Sequence, residues 1–363
     1  MKPTEVSQRV PMPLKPRPIV VIGAGGIVRD AHLPAYEKAG FPVAGLFDVD
    51  ADRATKLASE FGIHTVYRGL DRLALVAPAD AVFDVAVPPE VIAEVLEHLP
   101  AGAAVLIQKP LGRDSREAGA IASVCQRRGL VVGVNLQLRY APSILGARHI
   151  IGGGVIGDVH DMEVRVTGFM PWHLWSFLEG APRVGVLYHS VQYLDLARCT
   201  LGEPQAVIAR VSRHPAAPNL ADTRCQILLD YGSGSRVSIC ANHGHRFGRR
   251  HQESFVKWEG GNGAVRVQLG MLLNYPEGEP DSLEYCVLHE GKAAKWQTVG
   301  LSGQWFPDAF MGPMASLMRH LEGTDAVLSP SLEDGLRAMA MVDAVYASSE
   351  AGGVPRPVVA IQQ

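Results

Sequence analysis

The sequence predicts an α/β fold in two parts: a parallel sheet with right-handed crossovers, then a region of helices and antiparallel strands. Three observations carry this reading. Apolar strand-like runs alternate with helical stretches from Ile19 to Val134, the pattern of a parallel sheet with helical connections. A glycine-rich loop, Gly23-Ala24-Gly25-Gly26, joins the first run to the first helix. Beyond position 201 several strand-like runs follow one another without intervening helices, which suits antiparallel pairing. A length of 363 residues fits two domains at about 100–200 residues each.

The elements follow in order. Ile19 to Ile22, Val43 to Phe47, Ala81 to Val87, Ala103 to Ile107 and Leu130 to Val134 are short, uniformly apolar runs, as strands buried on both faces require. Between them, the stretch up to Ala39, Ala51 to Phe61, Glu90 to Leu99 and Ser115 to Arg128 have helical composition. Ala141 to Ile151 reads as a helix ending in Gly152-Gly153-Gly154, and Asp158 to Gly168 alternates as a strand. Met170 to Trp175 (MPWHLW) is an aromatic-rich loop, and Val184 to Leu201 is a helix. Strands are expected at Gln205–Arg213, Thr223–Tyr231, Arg236–His243, Glu253–Glu259 and Ala264–Gln268. Turns at Tyr231-Gly232-Ser233-Gly234 and Glu259-Gly260-Gly261-Asn262-Gly263 punctuate them. Helices close the chain at Pro307–Leu321 and Ser331–Ser349, the latter with the start signal Ser331-x-Glu333-Asp334.

Composition narrows the function classes. Lys and Arg total 34 against 37 Asp and Glu, a net charge of −3, so no electrostatic case exists for nucleic acid as the main ligand. The balance fits an uncharged polyol. No run of 18 apolar residues is present, so no membrane-spanning helix is expected. The first 18 residues hold five prolines and no apolar signal core. They read as an extended arm ordered by contact with a neighbour. Five cysteines without a C-x-x-C pair read as reduced thiols of a cytoplasmic protein.

The chemistry begins at the glycine loop. Gly23 permits the tight turn after the strand, and Gly25 lets a pyrophosphate approach the backbone at a helix N-terminus. Asp48 ends the second strand, where a carboxylate can bind the ribose hydroxyls. That carboxylate favours NAD and would repel the 2′-phosphate of NADP, for which Arg53 keeps a case. Val28 replaces the third glycine of the motif. Lys109 follows a parallel strand at its C-terminal end, the side on which such sheets bind ligands. There it can clamp charge or donate a proton. His243, His245 and His251 lie among Arg246, Arg249 and Arg250. With no acidic or thiol ligand interleaved, the group reads as a loop at a subunit contact or a hydrogen-bonding rim, and no metal is expected.

Taken in order, GAGGIVRDAHLPAY, FDVD, VPPEV, IQKPLG, GVNLQLRY, GVIGDV, YHSVQYLDLARCTLG and the closing SPSLEDGLRAMAMVDAVYASSEAG resemble the Gfo/Idh/MocA family of oxidoreductases. That family includes glucose–fructose oxidoreductase and inositol dehydrogenase. The resemblance implies a nicotinamide-binding Rossmann domain over residues 19–141. It implies a substrate and oligomerisation domain with a large, open, mostly antiparallel sheet over 142–363, behind the arm 1–18. It implies NAD(P)-dependent oxidation of a sugar, sugar derivative or cyclitol by a homo-oligomer, dimer or tetramer. The implied cofactor contacts are Gly23, Gly25, Gly26, Ile27, Val28, Asp48, Val87, Pro88, Gln108, Lys109, Asn135 and Arg139. The family's Glu-Lys-Pro motif falls on Gln108-Lys109-Pro110, which keeps the lysine and replaces the acid. Its Asp-x-x-x-His pair falls on Tyr188 and Gln192 and matches neither. His189, one position later, becomes the expected base beside Lys109. Tyr188 as a phenol activated by Lys109, or a merely structural His189, are the alternatives. Trp172, His173, Arg183, Tyr188 and Gln192 are expected around the substrate. Two other readings of the same resemblance stay open: tightly held NAD(H) recycled within each turnover, and a non-catalytic sugar or dinucleotide sensor.

Overall fold

The structure, a computed structural model, describes residues 6–232 and 234–353. Residues 1–5 of the arm, Ser233 of the expected turn and 354–363 lie outside the described residues. The first sheet contains β1 (Ile19–Ile22), β2 (Val43–Phe47), β3 (Val82–Val85), β4 (Ala104–Gln108) and β5 (Val131–Asn135). All are parallel, in the order β2-β1-β3-β4-β5. The helices α1 (Leu33–Ala39), α2 (Ala51–Glu60), α3 (Leu70–Val76), α4 (Ile92–His98) and α5 (Ser115–Arg127) supply the connections. Strands β1, β3 and β4 are buried along their whole length, the physical reason for their unbroken apolar runs.

After α6 (Pro142–Gly152) the chain builds a second sheet from β6 (Val159–Thr167), β7 (Ala206–Ser212), β8 (Arg224–Asp230), β9 (Arg236–Asn242), β10 (Glu253–Gly260), β11 (Gly263–Gln268), β12 (Ser282–Val287) and β13 (Gln297–Val299). Its order is β13-β12-β11-β10-β6-β9-β8-β7. The β6–β9 pair is parallel and the other neighbours are antiparallel. Burial alternates along β8 and β9, so one face carries the core and the other is open. α7 (Val191–Leu201), α8 (Met311–Leu321) and α9 (Leu332–Ala351) complete the chain. α9 starts in a capping box of Ser331 and Asp334. It packs against α5 and β5 of the first sheet and against α7 and β7 of the second, tying the two halves together.

Three differences from the sequence reading have physical causes. Residues 6–18 run along their own chain. Gln8 bonds the backbone of Gly300 and Ser302, and Glu322 accepts the amides of Leu14 and Lys15. The arm's described part therefore makes contacts within its own subunit. No element was expected over 62–80 or 269–306, where α3, β12 and β13 form. These are short, and β12 follows the turn-rich segment EGEPD. The expected helix Val184–Leu201 is α-helical only from Val191. Gly185–Ser190 is a π-helical turn.

Candidate functional site

The glycine loop has the shape a dinucleotide needs. Gly23 adopts φ 109°, and a Cβ there would lie 2.2 Å from the Ala86 carbonyl oxygen, so only glycine fits between β1 and the end of β3. Val87 lies on the same side, and Pro88 is exposed beyond it. A Cβ on Gly25 would meet nothing within 4 Å, which leaves the start of the helix open to a ligand. The first-turn N–H groups there have no intrahelical acceptor. Ile27 is half-buried and Val28 fully buried. Val28 therefore packs the helix on the sheet where the usual motif has glycine. The Asp48 carboxylate accepts from Ala24 N at 2.7 Å and from Asp50 N at 2.8 Å. It thus fixes the loop from just beyond the end of β2. Arg53 pairs with Asp50 at 3.2 Å.

The far ends of β4 and β5 bring polar groups together. Gln108 pairs in register with Asn135. Both are buried, and Gln108 Oε1 and Asn135 Oδ1 have no hydrogen-bond partner among the described residues. Unpartnered buried oxygens are costly, and here they lie at the strand ends that face the ligand side of the sheet. Behind Asn135 lies a buried chain that the sequence reading did not single out. Asn135 Nδ2 donates to His32 Nε2 at 3.3 Å, His32 Nδ1 donates to Asp84 Oδ2 at 2.7 Å, and the Tyr36 hydroxyl donates to the same oxygen at 2.8 Å. The orientation of the Asn135 amide is set by this chain. The loop, the ribose-side carboxylate and the unpartnered amide oxygens together fit a nicotinamide dinucleotide.

Lys109 joins this sheet end to the second domain. Its Nζ donates to the Tyr188 carbonyl at 2.5 Å. Burial pushes its ammonium down to about 8. The acceptor lies in the π-helical turn, whose N-terminus is capped by Asp222. Asp222 accepts from Val184 N at 2.8 Å, from Val186 N at 3.1 Å and from the Tyr346 hydroxyl at 3.0 Å. A π turn holds one more residue than an α turn, which shifts by one the face on which the residues after it fall. His189 lies in this turn. Its ring centroid lies 4.8 Å from His243 and 5.2 Å from Trp172. Neither of its ring nitrogens hydrogen-bonds to a described residue. Burial, then His243 and Lys109, hold its imidazole well below its ordinary value, so the ring is a neutral acceptor at pH 7.

Several expected residues have other surroundings. Tyr188 directs its phenol toward Phe177 at 6.0 Å. Burial, with a smaller contribution from Glu90, pushes the phenol up to about 12. Arg139 is buried against Asp195 at 2.5 and 2.7 Å, Asp334 at 3.0 Å and Ser329 at 3.1 Å. It cross-links α7 and α9 through Asp195 and Asp334. Arg183 pairs with Asp343 and lies 4.6 Å over the Tyr346 ring, held to α9. His173 is exposed and makes no hydrogen bond to a described residue, whereas Trp172 beside it packs on His189. Gln192 is buried and accepts from Gln137 Nε2 at 3.3 Å. His243, His245 and His251 diverge: the first is buried beside His189, and the other two lie on the loop beyond. No group of three metal-ligating side chains forms among the described residues.

Two family descriptions cover this chain. Residues 17–136 match the Gfo/Idh/MocA oxidoreductase family's NAD-binding Rossmann fold, and residues 148–358 match the same family's C-terminal alpha/beta domain. The chain belongs to this family. It is similar to D-apiose dehydrogenase of Paraburkholderia graminis, at 24% identity over 92% of this chain and 87% of that protein. It is also 24% identical to D-xylose 1-dehydrogenase (NADP(+)) 2 of Haloferax volcanii, over 92% of this chain and 97% of the other. Among solved structures, an oxidoreductase from Agrobacterium radiobacter in complex with NAD+, L-tartaric acid and magnesium superposes with a TM-score of 0.78 at 20% identity. That match covers 93% of this chain and 98% of the other. No helix of the described residues is long and apolar enough to cross a membrane.

Proposed function

We propose that this oxidoreductase oxidises a secondary hydroxyl of a sugar, sugar derivative or cyclitol with NAD. The observation that carries the reading is the Lys109–Tyr188 hydrogen bond. It holds a cation from the end of the dinucleotide-binding sheet beside the neutral imidazole of His189. When bound, the nicotinamide ring supplies the hydride acceptor. His189 takes the hydroxyl proton, and the Lys109 ammonium stabilises the alkoxide charge that develops on the same oxygen. The C–H bond breaks as the carbonyl forms, and the proton on His189 then passes to solvent. Gln108 and Asn135 supply acceptors at the sheet end.

NAD is favoured over NADP because Asp48 occupies the ribose end and Arg53 is paired with Asp50. The open face of the second sheet exposes Ile208 and Leu228, which supports a homo-oligomer built on that face. The deciding experiment is a screen of NAD+ reduction over aldoses, sugar acids, glycosides and inositols. NADH formation with members of the panel is expected. A protein that binds NAD+ and reduces none of it with any polyol would contradict the reading.

A further inference from the structure

The second domain carries an open cavity of about 480 Å3, lined by Phe169, His245, Arg246, Arg249, Asn274 and Tyr275 among others. It adjoins the proposed site in two places. His243 touches both His189 and Trp172, and His245 follows two residues later. Ring contacts also run from Trp172 to Trp175 at 6.2 Å and from Trp175 to Tyr275 at 6.4 Å. The Tyr275 phenol is raised by burial and then by Asp30, a residue of the helix behind the glycine loop. The cavity wall at Tyr275 therefore lies within electrostatic reach of Asp30 in the first domain.

Its charge is locally positive although the chain's net charge is −3. Arg249 is matched by Glu279. Arg246 is exposed and donates only to the Ala216 carbonyl at 2.9 Å, with no carboxylate partner among the described residues. Arg250 in the same loop has no ion pair among them either. Burial, Arg224 and Arg246 together hold the His214 imidazole below its ordinary value. Glu279 is engaged with Arg249, and Asp30 acts on Tyr275.

We propose that this cavity is an oxyanion subsite, in which Arg246 takes a carboxylate or phosphate ester carried by the substrate. The substrate class then narrows to acidic sugars and their phosphates. The carbinol end of this inference rests on the dehydrogenase reading above, and the anion end does not.

The test uses the full chain with NAD+ and matched neutral and acidic probes: D-glucose against D-glucuronate and D-glucose 6-phosphate, and myo-inositol against its monophosphate. The acidic member of at least one pair is expected to have the higher kcat/KM. Arg246→Gln should lower that acid-to-neutral ratio by about tenfold or more, the scale of one charge-assisted hydrogen bond. Uniform preference for the neutral members, or an unchanged ratio in the variant, overturns the proposal. An equal loss of NAD+ affinity in the variant also overturns it, by assigning the anion to the cofactor's pyrophosphate. Should the wild type oxidise none of the probes, quenching of tryptophan fluorescence decides. Quenching by the acids alone, abolished in Arg246→Gln, keeps the subsite and removes the dehydrogenase reading. Equal quenching by acid and neutral probes, or none by either, removes the subsite.

Discussion

His32 and His189 both lie in polar clusters near the ends of the parallel strands, yet their surroundings differ in kind. Both ring nitrogens of His32 have partners, Asp84 on one side and Asn135 on the other. The ring is fully enclosed, with Phe310 at 5.2 Å. His189 is half-buried, touches two other rings, lies near the Lys109 cation and has no hydrogen bond to a described residue. A saturated cluster fixes geometry, and an unsaturated one can accept a proton. The comparison separates a histidine that positions from one that reacts.

Substitutions should widen that separation. The largest effect is expected at the cation beside His189. Lys109→Ala should lower kcat by about 10²–10⁴-fold, with the Kd for NAD+, followed by fluorescence titration, changed little by comparison. His32→Ala should act on stability. It leaves the Asp84 carboxylate buried without its imidazole, a loss of about 3–5 kcal/mol, read as a fall in the denaturant midpoint.

The pH profile of kcat/KM tests the same contrast from the proton side. The lowered His189 imidazole places an acid limb below pH 6.5, because protonation removes the acceptor. The Lys109 ammonium at about 8 places an alkaline limb there, because its loss removes the charge on the oxygen. Activity should be highest between these limbs. A rate that climbs through pH 8 would instead make Lys109 the base. The smallest effect is expected at the ribose end. Asp48→Asn should weaken NAD+ by about tenfold and shift preference toward NADP+, measured as the ratio of kcat/KM for the two cofactors.

The same contrast explains what could be read from the sequence. Gly23, Asp48 and Lys109 were legible because each follows a buried strand, and strand ends in a parallel sheet are where ligands bind. The Ser331–Asp334 capping box was legible because it is local. The His32–Asp84 bond spans 52 positions and the Arg139–Asp334 bond 195, and no local pattern announces either. The π-helical turn at Gly185–Ser190 was hidden because a hydrogen-bond register leaves no mark on apolar spacing. The residues gave only its consequence, a histidine one place off the expected helix position. Asp222, which caps the turn from 38 positions away, was equally invisible.

The most direct measurement is the single-turnover rate of NADH formation by His189→Ala at pH 7, on a substrate found in the screen, with thermal unfolding followed in parallel. A general base predicts a loss of about 10²–10⁴-fold with the unfolding transition close to that of the wild type. A rate near wild type would make His189 a second packed histidine like His32 and would contradict the account.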